Sequence, residues 1–143
     1  MTAFPFPPGY GYIFAVLGGS FLMNGFLTWN VLSARKKYGV KYPALYAPPG
    51  HKFENEFNSV QRAHQNTLES YAVVIIQMAL NGLVYPEYSA FFGGLWVIGR
   101  IIYGAGYAAF GPSGRVVGFA IGFFGSIPPI FITLKIAYDL ISK

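Results

Sequence analysis

In the stretch NSVQRAHQNTLES, residues 58–70, Arg62, Asn66 and Glu69 follow one another at intervals of four and three residues. At about 100° per residue, an α-helix puts these three and Gln65 on one stripe about 100° wide, with His64 and Tyr71 pointing to the other side. A second stripe lies in GRIIYGAGY, residues 99–107, where Arg100, Tyr103 and Tyr107 line up with Trp96. Guanidinium groups ask for carboxylates or phosphates on a ligand. A carboxylate among them asks for an ammonium group, and Asn and Tyr suit amides and hydroxyl donation. A small zwitterionic peptide with a net negative charge meets that set. A nucleotide meets it less well, because no phosphate-cradling glycine loop is present. His51 and His64 lack ligand spacing and the chain has no Cys, so no metal site is expected. Asp139 is expected at the far side of the membrane, which leaves no usable Ser–His–Asp trio.

The plainer reading makes these side chains interhelical ties. Two converging stripes, with Arg35, Lys36 and Arg115 emerging on the same side, carry more polarity than a bundle needs and favour a ligand site. Arg100 falls near the middle of an apolar segment, where a cation must face a partner or a cavity. Glu69 is the carboxylate at comparable depth and is expected beside it.

The elements that must position these stripes follow from composition. Of 143 residues 54% are hydrophobic and 10% charged, against about 25% charged in soluble domains, so the chain is expected to use the membrane as solvent. An aromatic content of 19% suits lipid-facing rings and interfacial belts. A spanning helix takes about 20 apolar residues, and four segments fit: about 9–32, 58–83, 88–110 and 116–140. They predict an all-α, up-down-up-down four-helix bundle occupying residues 1–143 as a single domain, with Pro128 and Pro129 kinking the last helix. Short links at LVYPE and FGPSGR make neighbouring helices antiparallel. The start, MTAFPFPPGYGYIF, lacks the basic region of a cleavable signal and is expected to be a retained anchor.

The formal charge is +5. Arg35, Lys36, Lys37, Lys41, Lys52, Arg62 and Arg115 fall in or beside the first and third connections, and Lys135 and Lys143 on the opposite side. That bias puts the first and third connections in the cytosol. Cations gathered at a membrane rim also argue against nucleic acid as a partner and leave membrane lipids and a small anion. Without Cys, any reacting thiol must come from a substrate or partner.

RAHQNTLE (62–69), SARKKY (33–38) and GRIIYGAGY (99–107) resemble the membrane-associated proteins in eicosanoid and glutathione metabolism, the MAPEG family. The likeness runs over nearly the whole chain and is greatest to the type-3 microsomal glutathione transferase branch. It implies a homotrimer in the endoplasmic reticulum or nuclear envelope, with the mitochondrial membrane as the alternative. It implies glutathione as co-substrate, bound between subunits near the cytosolic face, and transferase or peroxidase chemistry on a lipophilic electrophile or lipid hydroperoxide. By the same resemblance Arg62, Asn66, Glu69, Tyr103 and Tyr107 would hold glutathione, Arg35 and His64 would reach it from the adjacent subunit, and Arg115 would stabilise its thiolate. Lys36, Tyr71 and Arg100 would be auxiliary. The family also admits a non-catalytic accessory or lipid-presenting subunit of a larger complex.

Overall fold

The computed structural model describes residues 5–142, and Lys143, which enters the charge count above, lies outside them. Helix α1 spans Gly11–Tyr38, α2 Glu54–Gly82, α3 Pro86–Phe110, α4 Val116–Ser126 and α5 Pro128–Ile141. A 3₁₀ turn, Gly111–Arg115, joins α3 to α4, and no strand occurs among the described residues.

Helix α1 runs six residues past Leu32 and takes in the SARKKY segment. Arg35, Lys36 and Lys37 occupy its last turn, where cations meet the negative end of the helix dipole. Gly39 then closes it in the left-handed conformation, φ 74°, its N–H donating to the Arg35 carbonyl at 2.9 Å. Glu54 and Glu56 stand in the first turn of α2, the favourable end for anions, and Pro86 starts α3 where no N–H is needed. The fourth expected helix is two. Pro128 and Pro129 lack the N–H groups that would continue α4, so the chain restarts as α5. Thr133 and Asn81 re-tie the break: Asn81 Nδ2 donates to the Pro129 carbonyl at 2.9 Å, and Thr133 Oγ1 donates to Asn81 Oδ1 at 3.0 Å.

Two helical runs, Gly11–Tyr38 and Pro86–Ile141, are long and apolar enough to cross a membrane, and in each the most apolar window is only 22% buried. Helix α2 does not qualify, because Glu54, Glu56, Arg62 and Glu69, together with Gln65, Asn66, Gln77 and Asn81, keep its hydropathy low along its length. Outward-facing Phe21, Leu22, Phe110 and Phe131 make surfaces that fit lipid.

Helix α3 is central and touches every other helix. Fully buried Trp96 and the adjacent Val97 of α3 pack with Met23 and Leu27 of α1 and Val74 of α2. Against α4 the approach is closest. Gly99 meets Gly118 and Gly122 backbone to backbone, Gly106 meets Gly114, and a Cβ on any of these except Gly122 would run into main chain. Small residues at such positions let backbones approach within van der Waals range, the usual basis of helix association in lipid. That contact draws the turn carrying Arg115 over the end of α3.

Candidate functional site

At the basic end of the molecule, α2, α3 and the start of α4 enclose a cleft of about 430 Å³, within the size range of small-molecule sites. Arg62 and Asn66 line it from α2, Tyr103 and Tyr107 from α3, and Arg115 from the turn; Val116 and Phe119 of α4 give it an apolar wall. The spacing 62–66 on α2 and 103–107 on α3 is one helical turn in each case, which turns both pairs to the same cleft.

Tyr103 and Tyr107 are buried and meet edge to face, ring centroids 5.1 Å apart. Arg115 Nη1 donates to the Tyr107 hydroxyl at 2.9 Å. That hydrogen bond fixes the orientation of the guanidinium, which is charged in any case, at the cleft mouth. Arg62 Nη1 donates to Glu69 Oε1 at 2.7 Å, and Asn66 Nδ2 donates to Glu69 Oε2 at 3.0 Å. The Arg62 and Glu69 side chains are 47% and 45% exposed. A pair that exposed adds little to stability and opens readily for a ligand bringing its own carboxylate and ammonium.

Arg100 does not pair with Glu69, contrary to the expectation from depth. Its Nη1 donates to Asn66 Oδ1 at 2.9 Å and its Nη2 to Ser70 Oγ at 3.2 Å. Trp96 and Tyr103 flank it, with ring centroids 5.7 and 5.1 Å from Cζ. Asn66 is therefore the bridge, with its oxygen on Arg100 and its amide on Glu69. Glu69 is exposed and its carboxylate is taken up by Arg62 and Asn66, whereas Arg100 is partly buried against Asn66 and Ser70. Substituting Asn66 and Arg100 by Ala, singly and together, should show a coupling of about 0.5–3 kcal/mol in thermal unfolding in detergent. The Glu69/Arg100 cycle should show a smaller one.

The remaining candidates lie elsewhere. His64 turns to α1, with Nε2 3.2 Å from Asn24 Oδ1 and 3.4 Å from Thr28 Oγ1. Tyr71 meets the Ser20 hydroxyl at 2.9 Å and sets its ring against Trp96, in the core between α1, α2 and α3. Lys36 lines a separate groove along α1 with Trp29, Leu32, Ser33 and Lys37. Arg35 donates to carbonyls of the connection that follows α1. Among the described residues no three His, Asp or Glu side chains gather as metal ligands would.

Three contributors, Asn55, Asn58 and Phe119, are not singled out by the sequence. Asn58 and Asn55 extend the Arg62 stripe toward the helix start and line, with Ser59, Tyr107 and Pro112, a recess of about 470 Å³ that adjoins the cleft at Arg62 and Tyr107. Their positions four and seven residues before Arg62 were the available signal. Phe119 had none, because its place depends on the glycine contact between α3 and α4.

Comparison with known proteins gives the same direction. A mouse protein, microsomal glutathione S-transferase 2, is 29% identical over 122 residues, covering 84% of this chain and 78% of its own length. Uncharacterized protein sll1147 of Synechocystis sp. is 36% identical over 102 residues, covering 71% of this chain and 69% of its own. Residues 13–135, from the first turn of α1 into α5, match the MAPEG family. An all-helical chain with two long apolar runs and that match over most of its length belongs to the MAPEG family.

Proposed function

We propose that this chain is a membrane-bound glutathione transferase of the type-3 microsomal kind, with peroxidase capacity toward lipid hydroperoxides. One observation carries the reading: the cleft joins a cationic, amide- and phenol-bearing floor to an apolar wall at the edge of a membrane-spanning surface. Arg62 would take a glutathione carboxylate and Glu69 the γ-glutamyl ammonium. Asn66 would bind the peptide, Tyr103 and Tyr107 would pack and donate along it, and Arg115 would face the sulfur. The Val116–Phe119 wall would admit a lipophilic acceptor arriving from the bilayer.

In conjugation the thiol proton leaves to solvent, and the thiolate sulfur forms a bond to the electrophilic carbon while the leaving group or π-electron pair departs. A fixed cation at the sulfur stabilises the thiolate before attack. The family resemblance supports a homotrimer with the basic end in the cytosol of endoplasmic-reticulum or nuclear-envelope membrane. The detergent-purified protein is expected to conjugate glutathione to a lipophilic aryl halide and to reduce a fatty-acid hydroperoxide. Glutathione binding without either turnover would instead point to an accessory role.

A further inference from the structure

We propose that the recess beside the cleft takes a second glutathione, whose thiol completes hydroperoxide reduction as a disulfide. The proposal rests on the glutathione reading above and gives the second thiol of that chemistry a place to bind.

Conjugation consumes one thiol, whereas hydroperoxide reduction consumes two. In the first step the thiolate sulfur attacks the terminal oxygen of the hydroperoxide. An S–O bond forms, the O–O bond breaks, and the lipid alcohol leaves once its oxygen has taken a proton from water. The sulfur has then lost two electrons and is a sulfenic acid. A second thiol reduces it: an S–S bond forms, the S–O bond breaks, and the hydroxyl leaves as water with the proton of that thiol. The chain has no Cys, so the second thiol cannot come from the protein. It must be another glutathione.

The recess, about 470 Å³, is as large as the 430 Å³ cleft, so a space that suits one tripeptide adjoins another of the same size. Arg62 and Tyr107 line both and form the divide between them. Arg115 Nη1 donates to the Tyr107 hydroxyl at 2.9 Å, so a sulfur facing Arg115 lies beside that divide. The recess offers donors for a peptide. Asn58 Oδ1 accepts from the Ala47 N–H at 2.8 Å, which leaves Nδ2 as a donor. The Asn55 amide and the Ser59 hydroxyl have no hydrogen-bond partner among the described residues. Amides and hydroxyls suit peptide carbonyls and carboxylates. No acidic side chain lines the recess, so the ammonium of a second glutathione finds no counterpart of Glu69 there. The recess therefore binds more weakly than the cleft and fills after it. A thiol held at the divide reacts as a neighbour rather than by encounter from solution.

The test uses full-length wild type, Asn55→Ala and Ser59→Ala in detergent; both residues line the recess and neither lines the cleft. Calorimetry measures binding of glutathione disulfide and of S-hexylglutathione, which carries a single peptide. Wild type should bind both. Each variant should weaken the disulfide about threefold to tenfold, the worth of one hydrogen bond, and hold S-hexylglutathione within about twofold. Hydroperoxide reduction at subsaturating glutathione should fall by a similar factor while conjugation keeps its wild-type rate. Dimedone, which traps sulfenic acids, should capture more glutathione sulfenic acid from the variants than from wild type. A wild type that binds S-hexylglutathione but not the disulfide overturns the proposal and leaves the transferase reading standing. Equal losses of both ligands in the variants also overturn it, because the recess would then be part of the cleft. So do variants that match wild type in disulfide affinity and in trapping. A wild type that binds no glutathione derivative removes the functional reading and this proposal together.

Discussion

Replacing Arg115 with Ala is expected to lower kcat for glutathione conjugation about 100- to 1,000-fold, the usual cost of removing one preorganised electrostatic group. Arg115 is the cation at the cleft that the main fold does not need. Its side chain donates to the Tyr107 hydroxyl, and the turn that carries it has no buried residue. The loss should therefore appear in chemistry with little change in thermal stability. Its pH dependence has a definite sign. A cysteine thiol ionises near about 8.5 in water, and a neighbouring cation lowers that value. The wild type should hold its rate down to lower pH, whereas Arg115→Ala should recover activity as pH rises toward the free thiol range. Arg115→Lys should restore part of the rate, because a point charge replaces the cation but not the fork that reaches Tyr107. Equal rates in wild type and Arg115→Ala across pH would remove Arg115 from the mechanism.

The second large effect is on the fold. Gly118→Ala adds one carbon, and that carbon meets the Tyr103 backbone nitrogen and the Gly99 carbonyl rather than a side chain that could rotate away. Overpacking of this kind costs about 1–3 kcal/mol. Gly94→Ala on α3 makes the same chemical change into open space. There the helix should gain up to about 0.5–1 kcal/mol from lost chain entropy. Thermal unfolding in detergent should move in opposite directions for the two variants. Gly118→Ala should also weaken glutathione binding, because the displaced backbone belongs to Tyr103 in the cleft. Equal melting temperatures would mean that α3 and α4 do not depend on this contact.

How far these features were legible depends on what sets each one. The Arg62–Asn66–Glu69 contacts follow from intervals of three and four on one helix, a local rule that needs no tertiary knowledge. The break before Pro128 is equally local, since two missing N–H groups end a helix wherever they stand. By sequence α1 ends near Leu32, because a run of cations reads as a loop. In place it is the last helical turn, favoured by the dipole and closed by Gly39. Arg100 was assigned a carboxylate partner by charge and depth. Charge says nothing of the turn on which Glu69 lies, so the amide of Asn66 went unseen as the bridge. Arg35 was the hardest to read, because its partners are main-chain carbonyls of a connection whose path no periodicity encodes. The close approach at Gly118 and Gly122 needs Gly99 on the facing helix, a tertiary pairing that local spacing does not encode.

The central claim is that the cleft under Arg115 binds glutathione and holds its sulfur as thiolate. Ultraviolet difference absorbance on adding glutathione to the purified wild-type protein tests it most directly. A saturable thiolate signal at neutral pH, abolished in Arg115→Ala while glutathione still binds, is the result predicted. Saturable glutathione binding with no thiolate signal in the wild type, or a signal that survives Arg115→Ala, would contradict it.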